Sequence, residues 1–342
     1  NEAGTLIVCV YVDDILCIGD RSAIDSIKIE LAKYFSVKDE GRMEEYVGCS
    51  VIRNNIGNVI LHQPYLLKRI EREFGEELKS VRAAATPAAT GDAVERMTEE
   101  EKKTGGLPKE RQTRYRSAVG MMLYLVKFSR PDIANSVREL TKAMDCANET
   151  HYKAMTRVLK YVMTTRDLGL KYDSGTIVNF KGVWKIVAYC DSDFAGDKNI
   201  RTSVTGFCIY IGDNLISWKA RAQKSVTLSS TEAEYVAVSK VCAEIIFIRY
   251  LLEFVGVNVK YPITVMCDNV GAIFLSNNAK NSNRTKHVDI RAHFVRQYVE
   301  DGIIKVNFVR STDNEADTFT KNVSGKIFRK HATKNLISTN GK

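Results

Sequence analysis

No two cysteines in this chain stand two residues apart, and its eight cysteines are scattered. That spacing offers no zinc framework. Cys9, Cys190, Cys208, Cys242 and Cys267 lie inside apolar runs, as reduced core thiols of an intracellular protein would. Nowhere does the apolar content reach the length of a membrane span, and the first residues lack the pattern of a secretory signal. Internal repeats are absent too. An initiating Met is missing and a strand begins almost at once, so a piece of a longer polypeptide is expected. The 342 residues allow two or three domains, and 44% hydrophobic content suffices to build cores. Fifty Lys and Arg against 41 Asp and Glu give a net charge of +9, which suits a polyanionic partner without specifying one.

Residues 5–19 are strand formers interrupted by Asp13 and Asp14, which predicts a hairpin with two carboxylates at its tip. A helix is expected over 21–35, a strand pair within 45–62, and a helix opening at Pro64. Residues 80–112 are rich in Ala, Thr, Pro, Gly and charge, and read as a linker. Helices are expected over 115–128, 132–145 and 150–166. Beyond 183 the pattern predicts strands at 184–191, 204–211, 214–219 and 224–228, the last two being separate or one bent element. A helix over 231–254 and a strand at 262–267 follow. Next come helices over 269–277 and 286–300, a strand at 303–309 and a helix from about 314. The order βββαβαβα implies a mixed α/β sheet with helices on its faces. The polar, basic tail after 325 is expected to fray.

Four acids lie at the edges of apolar segments of this last region: Asp191, Glu234, Asp268 and Asp317. Glu234 shares a helical stripe with Ala237, Val238, Val241, Ile245, Ile248 and Leu252, so it occupies the buried face at the helix start. Glu232 lies on another face, where the helix dipole favours it in water. Asp191 and Asp268 end strands, where ligands gather in open α/β sheets. Asp193 and Asp197 are alternatives to Asp191. Taken singly, each Asp can be a turn former, and Glu234 can bend out to water. Taken together, buried carboxylates need a cation or a proton. A pocket of oxygens suits Mg²⁺ or Mn²⁺, and two such ions serve phosphodiester hydrolysis.

Several segments carry a specific resemblance. Tyr189-Cys-Asp-Ser-Asp-Phe-Ala-Gly-Asp197, Ile216-Ser-Trp-Lys219, Leu228-Ser-Ser-Thr-Glu-Ala-Glu-Tyr-Val-Ala237, Cys267-Asp-Asn269, Arg284-Thr-Lys-His-Val-Asp289 and Ala316-Asp-Thr-Phe-Thr-Lys321 resemble the ribonuclease H domain of copia-type retrotransposon Pol polyproteins. Tyr11-Val-Asp-Asp14 resembles the metal-binding hairpin of their reverse transcriptase. Tyr115-Arg-Ser-Ala-Val-Gly120 and Ser129-Arg-Pro-Asp-Ile-Ala134 resemble the segment between the two. The resemblance implies the end of a reverse-transcriptase palm over 1–80, a linker over 81–112 and a helical thumb or connection segment over 113–175. A ribonuclease H domain over 183–322 and a basic tail over 323–342 would follow. It implies two Mg²⁺ (or Mn²⁺) ions on Asp191, Glu234, Asp268 and Asp317, metal binding at Asp13 and Asp14, and an RNA–DNA hybrid as substrate. The remainder of the Pol polyprotein would be a partner, and no membrane would be. Polymerase chemistry needs a further carboxylate on a neighbouring strand, which related polymerases carry well upstream; the polymerase half is therefore expected to be inactive alone. The contrasting expectation is a decayed or domesticated fragment that binds nucleic acid without catalysis. One departure from the wider ribonuclease H pattern is the loop Val309-Arg-Ser-Thr-Asp-Asn-Glu315, which has no His.

Basic residues supply candidate phosphate contacts. Lys219, Arg221 and Lys224 lie close together on a strand. Arg284, Lys286, His287 and Arg291 cluster at a helix start, and Arg201 lies in the loop after Asp191. A solvated charged face is the competing reading of each patch.

Overall fold

The computed structural model describes residues 5–54, 57–173, 175, 182–197, 199–277 and 289–340, without the side chains of 289–292. Strands β1 (Leu6–Tyr11) and β2 (Asp14–Gly19) form the expected hairpin. Tyr11 pairs with Asp14, leaving Val12 and Asp13 as the turn. The hairpin is a sheet of its own, with Val10, Tyr11 and Val12 exposed. Helix α1 (Arg21–Ala32) follows, then the meander β3 (Glu45–Tyr46), β4 (Cys49–Arg53) and β5 (Val59–His62). Helix α2 (Pro64–Lys79) opens at its proline and buries Leu67, Ile70, Phe74 and Leu78 on one stripe.

The stretch expected as a linker is partly structured. Helix α3 (Glu99–Gly105) starts at a capping box between Thr98 and Glu101. Helix α4 (Lys109–Phe128) begins before the expected position. The helix expected over 132–145 is broken into a 3₁₀ turn at Pro131–Ile133, α5 (Ala134–Leu140) and a second 3₁₀ turn at Thr141–Ala143. At its entry, Arg130 is fully buried against Asp132 at 2.8 Å, and the Tyr161 hydroxyl donates to the same carboxylate at 2.8 Å. Helix α6 (Glu149–Thr164) packs with α2 and α4 around one apolar core.

Strand β6 (Leu168–Tyr172), which periodicity does not reveal, pairs with β5. Next come β7 (Val183–Trp184), β8 (Ile186–Asp193), β9 (Val204–Ile211) and β10 (Asn214–Ala222). Among these, β9 is buried along its whole length and reads as a continuous apolar run, as a strand covered on both faces must. Helix α7 (Ser230–Phe254), β11 (Asn258–Val259), β12 (Ile263–Cys267), α8 (Val270–Asn277), α9 (Asp289–Glu300) and β13 (Ile304–Phe308) complete the series. No strand forms at 224–228; β10 ends at Ala222. The central sheet has the order β10-β9-β8-β12-β13. Its first three strands are antiparallel, and β12 runs parallel to both β8 and β13. This is a mixed sheet of the α/β class expected from the sequence, with α7 buried against it through Val238, Val241, Ile245 and Leu252.

Two departures close the chain. Where a helix was expected from 314, there is a 3₁₀ turn at Glu315–Phe319. The tail expected to fray instead forms α10 (Gly325–His331) and β14 (Leu336–Ser338), and β14 pairs antiparallel with β6. It finds its order in a distant strand edge, which local composition cannot report. The second sheet therefore runs β14-β6-β5-β4-β3.

Candidate metal centre

Four elements deliver the four acids. Asp191 lies near the end of β8 and is 2% exposed. Glu234 is one turn into α7. The cap of that helix is made by Ser229, whose hydroxyl accepts the Glu232 N–H at 3.1 Å, while Glu232 reaches back to the Leu228 N–H at 2.7 Å. Glu232 is thereby spent on the helix start, and Glu234 turns inward to accept the Ser192 N–H at 3.0 Å. Asp268 immediately follows β12 and accepts the Ser311 hydroxyl at 2.7 Å. Asp317 sits in the 3₁₀ turn, which Asn314 positions by donating from Nδ2 to the Cys190 carbonyl at 2.9 Å and accepting the Ala316 N–H at 3.2 Å.

The side chains converge. Oxygens of Asp191, Asp268 and Asp317 lie within 4.8 Å of one another, and so do ligand atoms of Glu234, Cys267 and Asp268. Asp268 belongs to both groups. Burial, reinforced by the neighbouring Asp317, pushes the Asp191 carboxyl up to about 7. Burial, with Asp191 next in weight, pushes Glu234 up to about 10. Burial also raises Asp317. These carboxylates hold their charges poorly by themselves, and their oxygens form the hard donor set that Mg²⁺ and Mn²⁺ prefer. The cluster therefore fits a divalent cation on its donor chemistry.

Lys321 is a member of the cluster that the sequence reading did not single out. Its Nζ lies 3.1 Å from Asp317 and 3.9 Å from Asp191. Burial works against its charge, but Asp191 and Asp317 outweigh that and hold its pKa up. The signal available was its spacing of four from Asp317. Thr320 was also missed; its hydroxyl donates to Asp191 Oδ2.

Among the described residues, neither alternative to Asp191 joins the two ligand groups, although Asp193 feels the charges of Lys321 and Asp191. Asp193 is half-buried and folds over its own loop, where a Cβ on Gly196 would come 2.1 Å from its Oδ2. Asp197 accepts the N–H groups of Asn199 and Ile200 at 3.0 and 3.2 Å and faces Arg96 at 3.5 Å. Asp13 and Asp14 are exposed at the hairpin, and among the described residues no third metal-binding side chain joins them.

Lys219 and Arg221 project from the same face of β10, and Lys224 lies just beyond it; all three are exposed. They line a cleft of about 690 Å³ between β10 and helices α4 and α5, together with Lys127 and Arg138. Trp218 closes the floor of that contact by donating from Nε1 to the Val126 carbonyl at 2.9 Å. None of the four acids lines the cleft. Arg201 is exposed in the loop after β8 with φ 56°, its N–H on the Asp197 carbonyl at 2.7 Å. Arg284, Lys286 and His287, and the side chain of Arg291, lie outside the described residues.

Comparison with known proteins places this geometry in context. Residues 1–90 match the family described as reverse transcriptase (RNA-dependent DNA polymerase). The chain is 34% identical over 326 residues to the retrovirus-related Pol polyprotein from transposon RE1 of Arabidopsis thaliana, covering 95% of this chain and 21% of that protein. It is 33% identical over 335 residues to the Pol polyprotein from transposon TNT 1-94 of Nicotiana tabacum, covering 96% and 24%. The chain thus spans between a fifth and a quarter of the length of these relatives. Among solved structures, ribonuclease H1 from Halobacterium salinarum aligns with a TM-score of 0.29 and 15% identity, over 40% of this chain and 94% of that one.

Proposed function

The chain belongs to the copia-type retrovirus-related Pol polyprotein family, and on that premise we propose that residues 183–322 cut the RNA strand of RNA–DNA hybrids with two divalent ions. The observation that carries this reading is the convergence of Asp191, Glu234, Asp268 and Asp317 from two strand ends, a helix start and a 3₁₀ turn. A plain turn-forming role for each explains neither the meeting nor the burial.

When bound, a pair of Mg²⁺ or Mn²⁺ ions supplies an activated water and stabilises charge on the attacking and leaving oxygens. The protein's part is to hold the ligands in place. The Ser192 N–H fixes Glu234, the Ser311 hydroxyl fixes Asp268 and the Thr320 hydroxyl fixes Asp191. Apolar packing beneath β8 and β12 keeps water from beneath the site. The basic face of Lys219, Arg221 and Lys224 receives backbone phosphates, and the 2′-hydroxyl distinguishes the RNA strand from DNA.

In this reading residues 1–80 are the end of a polymerase palm, residues 113–175 a connection segment, and the remainder of the Pol polyprotein is the working partner inside the cell. Asp13 and Asp14 bind metal only alongside a carboxylate from that partner region, so this chain alone does not extend a primer.

Cleavage of a labelled hybrid by the purified chain tests the proposal. The Asp268→Asn variant, which keeps shape and loses charge, should lose cleavage by at least about a hundredfold with an unchanged circular dichroism spectrum. Full activity in that variant would remove the assignment of the acid cluster, whereas a wild-type chain that binds the hybrid without cutting it would leave a fragment that binds without catalysing.

A further inference from the structure

The turn that carries Asp317 is held from outside its own sheet. Asn322 follows that turn, and its Oδ1 accepts both the Asn135 amide at 3.1 Å and the Ser136 hydroxyl at 2.9 Å. Its Nδ2 donates to the Asp92 carbonyl at 2.6 Å, and its own carbonyl accepts the Gly91 N–H at 2.8 Å. Asn135 and Ser136 belong to α5, a buried helix of the upstream segment. From the same helix Arg138 reaches the Thr320 carbonyl at 3.4 Å, itself braced by the Asn135 side chain at 2.8 Å. Thr320 is the residue whose hydroxyl sits on Asp191.

Beyond the other end of α5, the 3₁₀ turn Thr141–Ala143 reaches the loop after β8. Glu139 accepts the Val94 N–H at 2.7 Å and the Lys142 ammonium at 2.9 Å, and Lys142 lies 3.9 Å from Asp197. Helix α5 and the 3₁₀ turn that follows it thus contact both segments that flank the Asp191–Asp317 pair.

Simple packing needs none of this chemistry, because apolar side chains would fill the same space without fixing direction. Buried polar networks cost free energy unless every member is satisfied, and when satisfied they specify one arrangement. From this we propose that α5 is a positioning element for the metal centre: Asn135, Ser136 and Arg138 hold the Asp317–Lys321 turn against Asp191, so that the carboxylates are placed before any ion arrives. This rests on the metal-dependent reading above. Ligands held in place by supporting hydrogen bonds bind and react better than ligands that must be gathered.

The test uses the full chain and approaches the latch from both sides, with Asn322→Ala on one and Ser136→Ala on the other. Three quantities are read: Mn²⁺ affinity by electron paramagnetic resonance, amide exchange of residues 315–322, and kcat with KM on a labelled hybrid. Faster exchange confined to 315–322, Mn²⁺ affinity weakened several-fold, and kcat lowered about tenfold at unchanged KM are expected. Should Asn322→Ala fail to fold, Ser136→Ala, which removes a single hydroxyl, carries the test. Unchanged Mn²⁺ affinity in a folded variant overturns the proposal, whether or not exchange rises. If the wild-type chain binds Mn²⁺ but cuts no hybrid, the ribonuclease reading fails, while affinity and exchange still decide the role of α5.

Discussion

The Lys321 ammonium lies 3.1 Å from the Asp317 carboxylate, four residues back along the chain, and is half-exposed. It is a cation already resident among ligands that lack the charge balance to stay ionised alone. An incoming divalent ion meets this charge as a competitor. Lys321→Met should therefore bind Mn²⁺ about three- to tenfold more tightly and make the metal-free protein less stable. Isothermal titration with Mn²⁺ and thermal melting in chelator check both halves. Unchanged affinity would mean that the ammonium leaves the pair freely.

Stability without metal should fall as pH rises. The Asp191 carboxyl is pushed up to about 7 by burial first and Asp317 second, from about 4 in an unfolded chain. A group raised on folding contributes stability that is present below the unfolded value and lost as pH climbs through the folded one. In chelator, melting temperature should drop by about 3–10 °C between pH 5 and 8. Mg²⁺ should restore it, because a bound cation favours the ionised ligands. The Asp191→Asn variant should show a flatter profile. A wild-type melting temperature that rises across this window would refute the burial argument.

Gly206 on β9 faces the 3₁₀ turn with no room to spare. A Cβ there would stand 2.6 Å from Thr320 Cγ2, 2.9 Å from the Ala316 carbonyl and 2.9 Å from Phe319 Cβ. Two of these contacts are to atoms that cannot swing aside. Gly206→Ala should destabilise the fold by about 1–3 kcal/mol and weaken Mn²⁺ binding by lifting Asp317 off its neighbours. Urea unfolding measures the first and titration the second. A neutral variant would show that the turn yields.

Binding to an RNA–DNA hybrid should weaken steeply with added salt. Replacing Lys219, Arg221 and Lys224 with Ala should reduce the logarithmic salt slope by roughly one unit per lost phosphate contact while leaving Mn²⁺ affinity unchanged. Fluorescence anisotropy across a salt series provides the measurement. An identical slope would place the nucleic acid on another face.

What could be read in the sequence follows from how local each feature is. Asp191 and Asp268 close apolar strands, and Glu234 sits on the stripe that α7 buries, so alternation and helical spacing reveal all three. Lys321 escaped because its role depends on Asp191, which arrives from β8, more than a hundred residues earlier. The break of 132–145 into α5 and two 3₁₀ turns escaped because its polar residues are buried against residues of other segments, such as Asn322 and Val94. Strand β14 was invisible for the same reason: three residues become a strand only when β6 offers an edge.

That last pairing has a bearing on how the molecule can be taken apart. Residues 168–172 and 336–338 lie side by side, so everything from β7 to α10 is a loop whose two ends meet at one seam. A single cut near residue 180 would not yield two self-sufficient halves. It would send β14 away with the other fragment, baring the edge of β6 and inviting whatever strand came next to replace it. Clean excision needs two cuts, and the piece left behind must be rejoined from 172 to 336 to keep its sheet whole.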